Sequence, residues 1–353
     1  MDATLLWEAE VATFASAGPV TRIAAADLFR LTGWDLRAEG LCNGEACVPV
    51  RDRAAVEPRA GVLDLEVVVP LLDRPIVVDA ESGIVAVGTS RQARRDALIA
   101  RRAPTFALPD LTGRLRSLDE LRGRVTVLVT FSSWCGCRYD LPGWQALQDE
   151  LGAEGLSVIA VAFDQEPEVV APFAEGISIP VLHDAAHLLS ELYAISNVPT
   201  VVWIDEEGKV ARPNTPAFAT DTFADFHGVP SGPHLEAIRA WVRHGTLAPD
   251  ASAPGTVDEL REEEIAARLW FRIGAHLHRL GRDAEAATPF AEAARLAPLD
   301  FTVARAAMPL TGRDPFGQEF LDLYDAWVAA GRPFHGLEPD VDVEIDAEVD
   351  PGR

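Results

Sequence analysis

The stretch Val125-Thr-Val-Leu-Val-Thr-Phe131, with Ser132-Ser-Trp-Cys-Gly-Cys-Arg138 directly behind it, decides the reading of this chain. An uncharged, Val-rich run is the pattern of a strand buried on both faces. The cysteines follow where that strand ends, and Pro142 to Leu151 then reads as helix. Outward from here the chain alternates. Gly155-Leu-Ser-Val-Ile-Ala-Val-Ala-Phe163 is a second buried strand, Val169 to Phe173 and Leu188 to Tyr193 begin helices, and Val198 to Asp205 is a third strand. Glu206-Glu-Gly-Lys209 turns into Val210, and His234 to Val242 reads as a closing helix. Strands and helices that alternate and end in a hairpin predict an α/β domain.

The flanks differ. Residues 1–17 read as an amphipathic helix ended by Gly18-Pro19, Thr21 as the cap of a short helix stopped by Gly33, and residues 34–60 as irregular. Pro75 to Asp79 and Ile84 to Val87 read as a hairpin, and Thr89 or Ser90 as the cap of a basic helix through Arg102. This predicts a small N-terminal α+β domain over 1–102 and the α/β domain over 103–245. Over 256–335 the chain reads as helical. Ile265, Leu269, Ile273 and Leu277 share one face, Gly281 turns, and Ala284 to Leu296 returns, a tetratricopeptide (TPR)-like hairpin. One such hairpin cannot bury its own face, so it packs on the middle domain or on a second copy of the chain, as a homo-oligomer. Residues 336–353 read as an acidic tail, or as an edge strand where Asp340 to Asp350 alternates acidic and apolar residues.

The 353 residues carry a net charge of −24. Residues 125–353 hold 15 basic and 37 acidic residues, against 16 and 18 in 1–124. Such a surface repels nucleic-acid phosphates and anionic lipid headgroups, so neither nucleic acid nor a membrane is an expected partner. No apolar run reaches the ~18 residues of a membrane span. The acidic start lacks the pattern of a secretory leader, which predicts a cytoplasmic protein. No Gly-rich phosphate loop or serine-nucleophile elbow is present, and no cofactor or metal is expected.

Four cysteines form two close pairs, Cys42/Cys47 and Cys135/Cys137. Close pairs in a cysteine-poor chain point to redox chemistry or a soft metal. Asn43-Gly44 is a turn dipeptide that brings Cys42 and Cys47 within bonding range. Three readings of that pair stand: an auxiliary redox relay, a structural disulfide, or a metal clip.

The middle domain resembles the thioredoxin superfamily, specifically the TlpA/ResA-type thiol–disulfide oxidoreductases. The resemblance rests on Ala103-Pro-Thr-Phe-Ala-Leu-Pro-Asp-Leu-Thr-Gly113, Leu118-Asp-Glu-Leu-Arg-Gly123, Phe131 to Pro142, Pro180-Val-Leu-His-Asp184, Tyr193, Val198-Pro-Thr200 and Ile204 to Val210. Ser133-Trp-Cys-Gly-Cys137 also looks like the ResA-like proteins with a W-A-x-S-U-G-C motif, selenocysteine standing at the place of Cys135. The resemblance implies a thioredoxin-like fold and thiol–disulfide exchange with protein or small-molecule substrates. Cys135 would be the thiolate at a helix N-terminus, Cys137 the resolving thiol, and Asp140 the acid that takes and returns protons. Trp134 would shield the pair. Val198, Pro199 and Thr200 would face the substrate across a cis peptide bond. The usual motif has two residues between its cysteines, and here Gly136 stands alone. So small a ring predicts a strained, relatively oxidising bridge.

Two other readings stay open. One is a thiol peroxidase of the same fold, with Cys135 peroxidatic, Ser132 where that motif has Thr, and Leu128 where it has Pro. The other is a non-enzymatic carrier of copper or zinc on all four thiolates. The insertion 211–231, with Phe218, Phe223, Phe226 and His227, either folds over the site to shape a hydrophobic groove or is a packed connector.

Overall fold

The computed structural model describes residues 2–121, 125–247 and 259–337, so the acidic alternation of 340–350 lies outside the described residues. Val125–Phe131 is a strand in which every residue but Val125 is buried. It has to be central, because only a strand covered on both faces can bury consecutive apolar side chains. Among the described residues the sheet has five strands, in the order Val181–His183, Leu156–Ala162, Val125–Phe131, Thr200–Ile204, Val210–Thr215. The first three are parallel, and the last two join antiparallel. The third predicted strand starts at Thr200 rather than Val198, since Pro199 has no N–H for a ladder. Val181–His183 is an edge strand of three residues, too short to leave a periodic signal.

Residues 1–17 are not a helix. Asp2–Trp7 and Glu10–Ala15 form an antiparallel hairpin that turns at Glu8 (φ 55°). Asp2–Trp7 also pairs in parallel with Ile84–Val87, inside a sheet completed by Ile76–Asp79. Leu5 faces the N-terminal core of Phe14, Ile23 and Leu28, and the adjacent Leu6 faces the core shared with the middle domain. A strand covered on both faces loses its period of two, which is why its apolar residues imitate a helical stripe. Thr21 leads into a strand, Arg22–Ala24, paired with Val62–Asp64. The helix Ala25–Thr32 starts without a side-chain cap and ends on Gly33 at φ 76°. Residues 34–60 hold a small meander of Asp35–Leu36, Leu41–Asn43 and Ala46–Val48, again too short for periodicity. It sets Cys42 opposite Cys47 as a disulfide, with Cα atoms 4.1 Å apart.

Helices Glu262–Arg279 and Asp283–Leu296 form a hairpin turned at Gly281 (φ 71°). They approach closely because Gly274 has no Cβ, which would stand 2.8 Å from the Phe290 ring. The stripe of Ile265, Leu269, Ile273 and Leu277 is buried in the same core as the central sheet. The first helix also packs on the strands Ile76–Asp79 and Ile84–Val87. The hairpin thus covers its apolar face within this chain.

A buried carboxylate joins the three parts. Glu191, on the helix Leu188–Leu192, is 0% exposed. It accepts from the Thr89 N–H at 2.7 Å and the Thr89 hydroxyl at 2.9 Å. Arg94 lies 3.5 Å away and Arg272 3.1 Å away, both buried. Thr89 and Arg94 belong to the N-terminal part and Arg272 to the helical hairpin. Gly88 makes room, since a Cβ there would collide with the Glu191 carboxylate. A second buried pair, Arg268 with Asp300 at 2.7 Å, fixes the chain that follows the hairpin. Glu191→Ala leaves two buried cations without their partner and should lower the unfolding free energy by about 3–5 kcal/mol. Chemical denaturation measures this, and a loss below about 1 kcal/mol would contradict the assigned role.

Candidate active site

The central strand ends at Phe131, and the chain must then turn sharply into a helix. Asp164, one residue past the end of the neighbouring buried stretch, holds that turn. Its carboxylate accepts from the Ser132 hydroxyl at 2.9 Å, from the Ser133 N–H at 3.0 Å and from the Ser133 hydroxyl. Burial pushes its pKa up, and the Ser133 hydrogen bonds pull the other way. The Ser132 hydroxyl, fully buried, is committed to Asp164 and so is not aimed at a peroxide beside Cys135.

Cys135 is extended (φ −117°, ψ 145°) and opens a short 3-10 stretch, Gly136–Asp140, that runs into the helix Leu141–Leu151. Pro142 occupies the first helical turn, where its missing N–H costs nothing. The Cys137 N–H donates to Cys135 Sγ at 3.2 Å. Such a donor, with the helix behind it, favours a thiolate at position 135. Cys135 and Cys137 are joined as a disulfide, with Cα atoms 5.2 Å apart. Cys135 Sγ lies 3.4 Å from the carbonyl oxygen of Val198, and the Val198–Pro199 bond is cis. The loop is registered from below: the Thr130 hydroxyl donates to the Thr200 carbonyl and accepts the Thr200 N–H, both at 3.1 Å.

Both cysteines line a cavity of 340 Å³. Val198 and Pro199 line it too, but Trp134 and Thr200 do not. Trp134 is 3% exposed, with the Arg305 guanidinium 5.9 Å from its ring centroid, and the Thr200 hydroxyl is spent on the Asn197 carbonyl at 2.7 Å. The insertion 211–231 does reach the site: Phe218, Phe223, Phe226 and His227 form one wall. Phe223 lies over Gly136, where a Cβ would stand 2.9 Å from its ring. At Gly143 a Cβ would come within 2.6 Å of the Ala219 carbonyl, so the insertion seats directly on the site helix. The C-terminal segment adds Phe301, Arg305, Phe316, Phe320 and Tyr324 to the lining, and Tyr324 packs on Phe226 with ring centroids 4.8 Å apart. Phe301 is placed by its own N–H, which donates to the Ser196 carbonyl at 2.8 Å, next to the cis-proline loop. Cys42 and Cys47 contribute nothing to the lining. Among the described residues no group of three or more His, Cys, Asp or Glu gathers to hold a metal.

Asp140 is 4% exposed. Its Oδ1 accepts from the Thr220 N–H at 3.1 Å and from the Thr220 hydroxyl, while its Oδ2 has no partner among the described residues. Burial pushes its pKa up to about 6, against the opposing pull of Thr220. The acid is therefore no solvated first-turn carboxylate, and it anchors the insertion to the site helix.

A buried parallel strand ending in a cysteine turn, faced by a cis-proline loop, defines a thiol–disulfide oxidoreductase of thioredoxin-like fold. Residues 99–212 match the AhpC/TSA family. The thiol-disulfide oxidoreductase ResA of Geobacillus thermodenitrificans is 29% identical over 140 residues, 39% of this chain and 76% of the relative. ResA of Bacillus thuringiensis is 30% identical over 117 residues, 32% of this chain and 68% of the relative. The crystal structure of a putative thiol:disulfide interchange protein DsbE from Chlorobium tepidum is 34% identical, with a TM-score of 0.29, and the match covers 31% of this chain and 79% of that one. This chain belongs to the ResA/TlpA-type thiol–disulfide oxidoreductases through its middle part, and it is an oxidoreductase enzyme.

The raised Asp140 pKa has a sign that can be checked. A carboxyl held above its unfolded value contributes stability that is present below about pH 4 and lost as pH rises through about 6. Relative to Asp140→Asn, the oxidised wild type should therefore lose up to about 3 kcal/mol between pH 4 and pH 7. Denaturant melts of both proteins across that range measure it, and a constant difference would contradict the assignment.

Proposed function

We propose that the enzyme exchanges disulfides through Cys135 and Cys137, within a middle domain over 103–245. The observation that carries this reading is the placement of both sulfurs on one cavity wall, at the start of a helix and beside the Val198-Pro199 loop. In the reduced enzyme the Cys135 thiolate attacks one sulfur of a substrate disulfide. That bond breaks, the distal sulfur leaves as a thiolate, and a mixed disulfide with Cys135 remains. The Cys137 thiol loses its proton and attacks Cys135 Sγ, which releases the second substrate thiol and closes the bridge. Two electrons pass to the substrate. The same steps in reverse oxidise a substrate dithiol.

Asp140 suits the proton step. A carboxyl with a pKa of about 6 exchanges protons readily near neutrality, and its Oδ2 has no fixed partner. Val198 and Pro199 would bind an extended substrate segment along exposed backbone. Trp134 and Thr200 act as positioning residues from behind the wall. We read Cys42–Cys47 as structural: it staples adjacent strands of a meander, and no residue of the N-terminal part lines the cavity.

Cys135→Ser should abolish exchange, and Cys137→Ser should accumulate a stable mixed disulfide on Cys135, visible by intact-protein mass spectrometry. A Cys137→Ser protein that turns over freely would contradict the roles. The double variant Cys42→Ala/Cys47→Ala should keep its exchange rate while losing about 2 kcal/mol of stability. Loss of exchange at unchanged stability would make that pair a relay instead.

A further inference from the structure

The cavity beside the disulfide has an unusual charge balance. The chain holds 55 acidic residues and a net charge of −24, yet among the described residues no acidic side chain lines this cavity. Its charged lining residues are Arg138 and Arg305. His227 adds no charge near neutrality, because burial pushes its pKa down to about 4.

Elsewhere this protein pairs its buried arginines with carboxylates: Arg94 and Arg272 with Glu191, Arg268 with Asp300. Arg305 is 6% exposed, and among the described residues no carboxylate pairs with it. Its Nε donates to the Pro315 carbonyl at 2.9 Å, and Nη1 and Nη2 make no hydrogen bond there. Arg138 gives its Nη groups to the Ser133 carbonyl and the Tyr139 hydroxyl, while its buried Nε has no partner among the described residues. Aromatic faces hold both cations. Arg305 lies 3.6 Å from the Phe320 centroid, and Phe316 is shared, 4.7 Å from Arg138 and 5.2 Å from Arg305. Burial pulls the Arg305 pKa down to about 9, and the neighbouring Arg138 charge pulls the same way. Ring faces offset part of the cost of two desolvated like charges, but they cannot use the planar fork of donors on Arg305. An anion can.

We infer that Arg138 and Arg305 form a carboxylate-binding subsite, and that the site prefers low-molecular-weight disulfides carrying a carboxylate a few bonds from sulfur. The inference rests on the proposed Cys135/Cys137 exchange and names its substrate class. The size of the site argues for a small molecule over an acidic protein. The 340 Å³ space is lined by aromatic side chains of the insertion and of the C-terminal segment, and Arg305 is too buried for a folded surface to reach. The bond changes are those already given: the reduced enzyme supplies two electrons, one substrate S–S bond breaks, the Cys135–Cys137 bond forms, and two carboxylate-bearing thiols leave.

The test is single-turnover reduction of three small disulfides by prereduced enzyme: dithiodipropionate with two carboxylates, hydroxyethyl disulfide with none, and cystamine with two ammonium groups. Each rate is divided by that of free dithiothreitol with the same disulfide, which removes intrinsic reactivity. The expected order is anionic, then neutral, then cationic, with the anionic probe favoured over the neutral one about tenfold. Arg305→Met and Arg138→Met should each bring that ratio towards one, and Arg305→Lys should hold part of it. Each ratio is taken on one preparation, so partial unfolding does not shift it. Equal normalised rates in the wild type, or a ratio that survives both Met variants, would overturn the subsite while leaving exchange itself intact. Failure of all three disulfides to react would overturn the exchange reading as well.

Discussion

The buried Glu191 carboxylate is the constraint on which the rest depends. It sits on a helix of the central domain, yet its partners come from the chain before and the chain after that domain: Thr89, Arg94 and Arg272. Buried charges demand good geometry from every partner, so this hub leaves the hairpin helix Glu262–Arg279 little freedom to slide. The consequence reaches the active site. The hairpin leads into Asp300 and Phe301, which are tied to Arg268 and to Ser196. From there Arg305, Phe316 and Phe320 arrive over the cysteines. The contacts that hold the hairpin therefore also place the C-terminal part of the lining of the cavity beside the cysteines.

The site is a composite of four stretches that share three tasks. The turn at 132–137, clamped by Asp164, presents the sulfurs. The loop at 197–200, pinned through Thr130, faces them. The insertion at 218–227 and the C-terminal segment enclose them in aromatic side chains. Asp140 links the first and third stretches, since it lies at the head of the site helix and holds Thr220 of the insertion. The carboxyl proposed for the proton step therefore also holds the insertion against the site helix.

Much of this was legible in the sequence where the physics is local. The bounds Val125–Phe131 follow from an uninterrupted apolar run, and Cys135 at its end needs no more than that run and the helix behind it. What escaped was set by tertiary context. Leu5 and Leu6 serve two different cores, so their strand carries no alternation and reads as helix. Asp164 is a single acid after a buried strand, and its role appears only when two parallel strands place it beside Ser132 and Ser133. Arg305 is separated from Cys135 by the whole hairpin, and no local pattern connects them. That Trp134 is buried, with Arg305 over its ring, also depends on the distant C-terminal segment and leaves no local signal.

On the proposed mechanism Cys135 and Cys137 are the working redox couple. The most direct measurement is differential alkylation with mass spectrometry of all four thiols across a redox titration. The Cys135–Cys137 bridge should open and close as one two-electron couple, over a range in which Cys42–Cys47 stays closed. This would be contradicted by Cys135 and Cys137 labelling as independent thiols throughout, or by Cys42–Cys47 being the only pair that cycles.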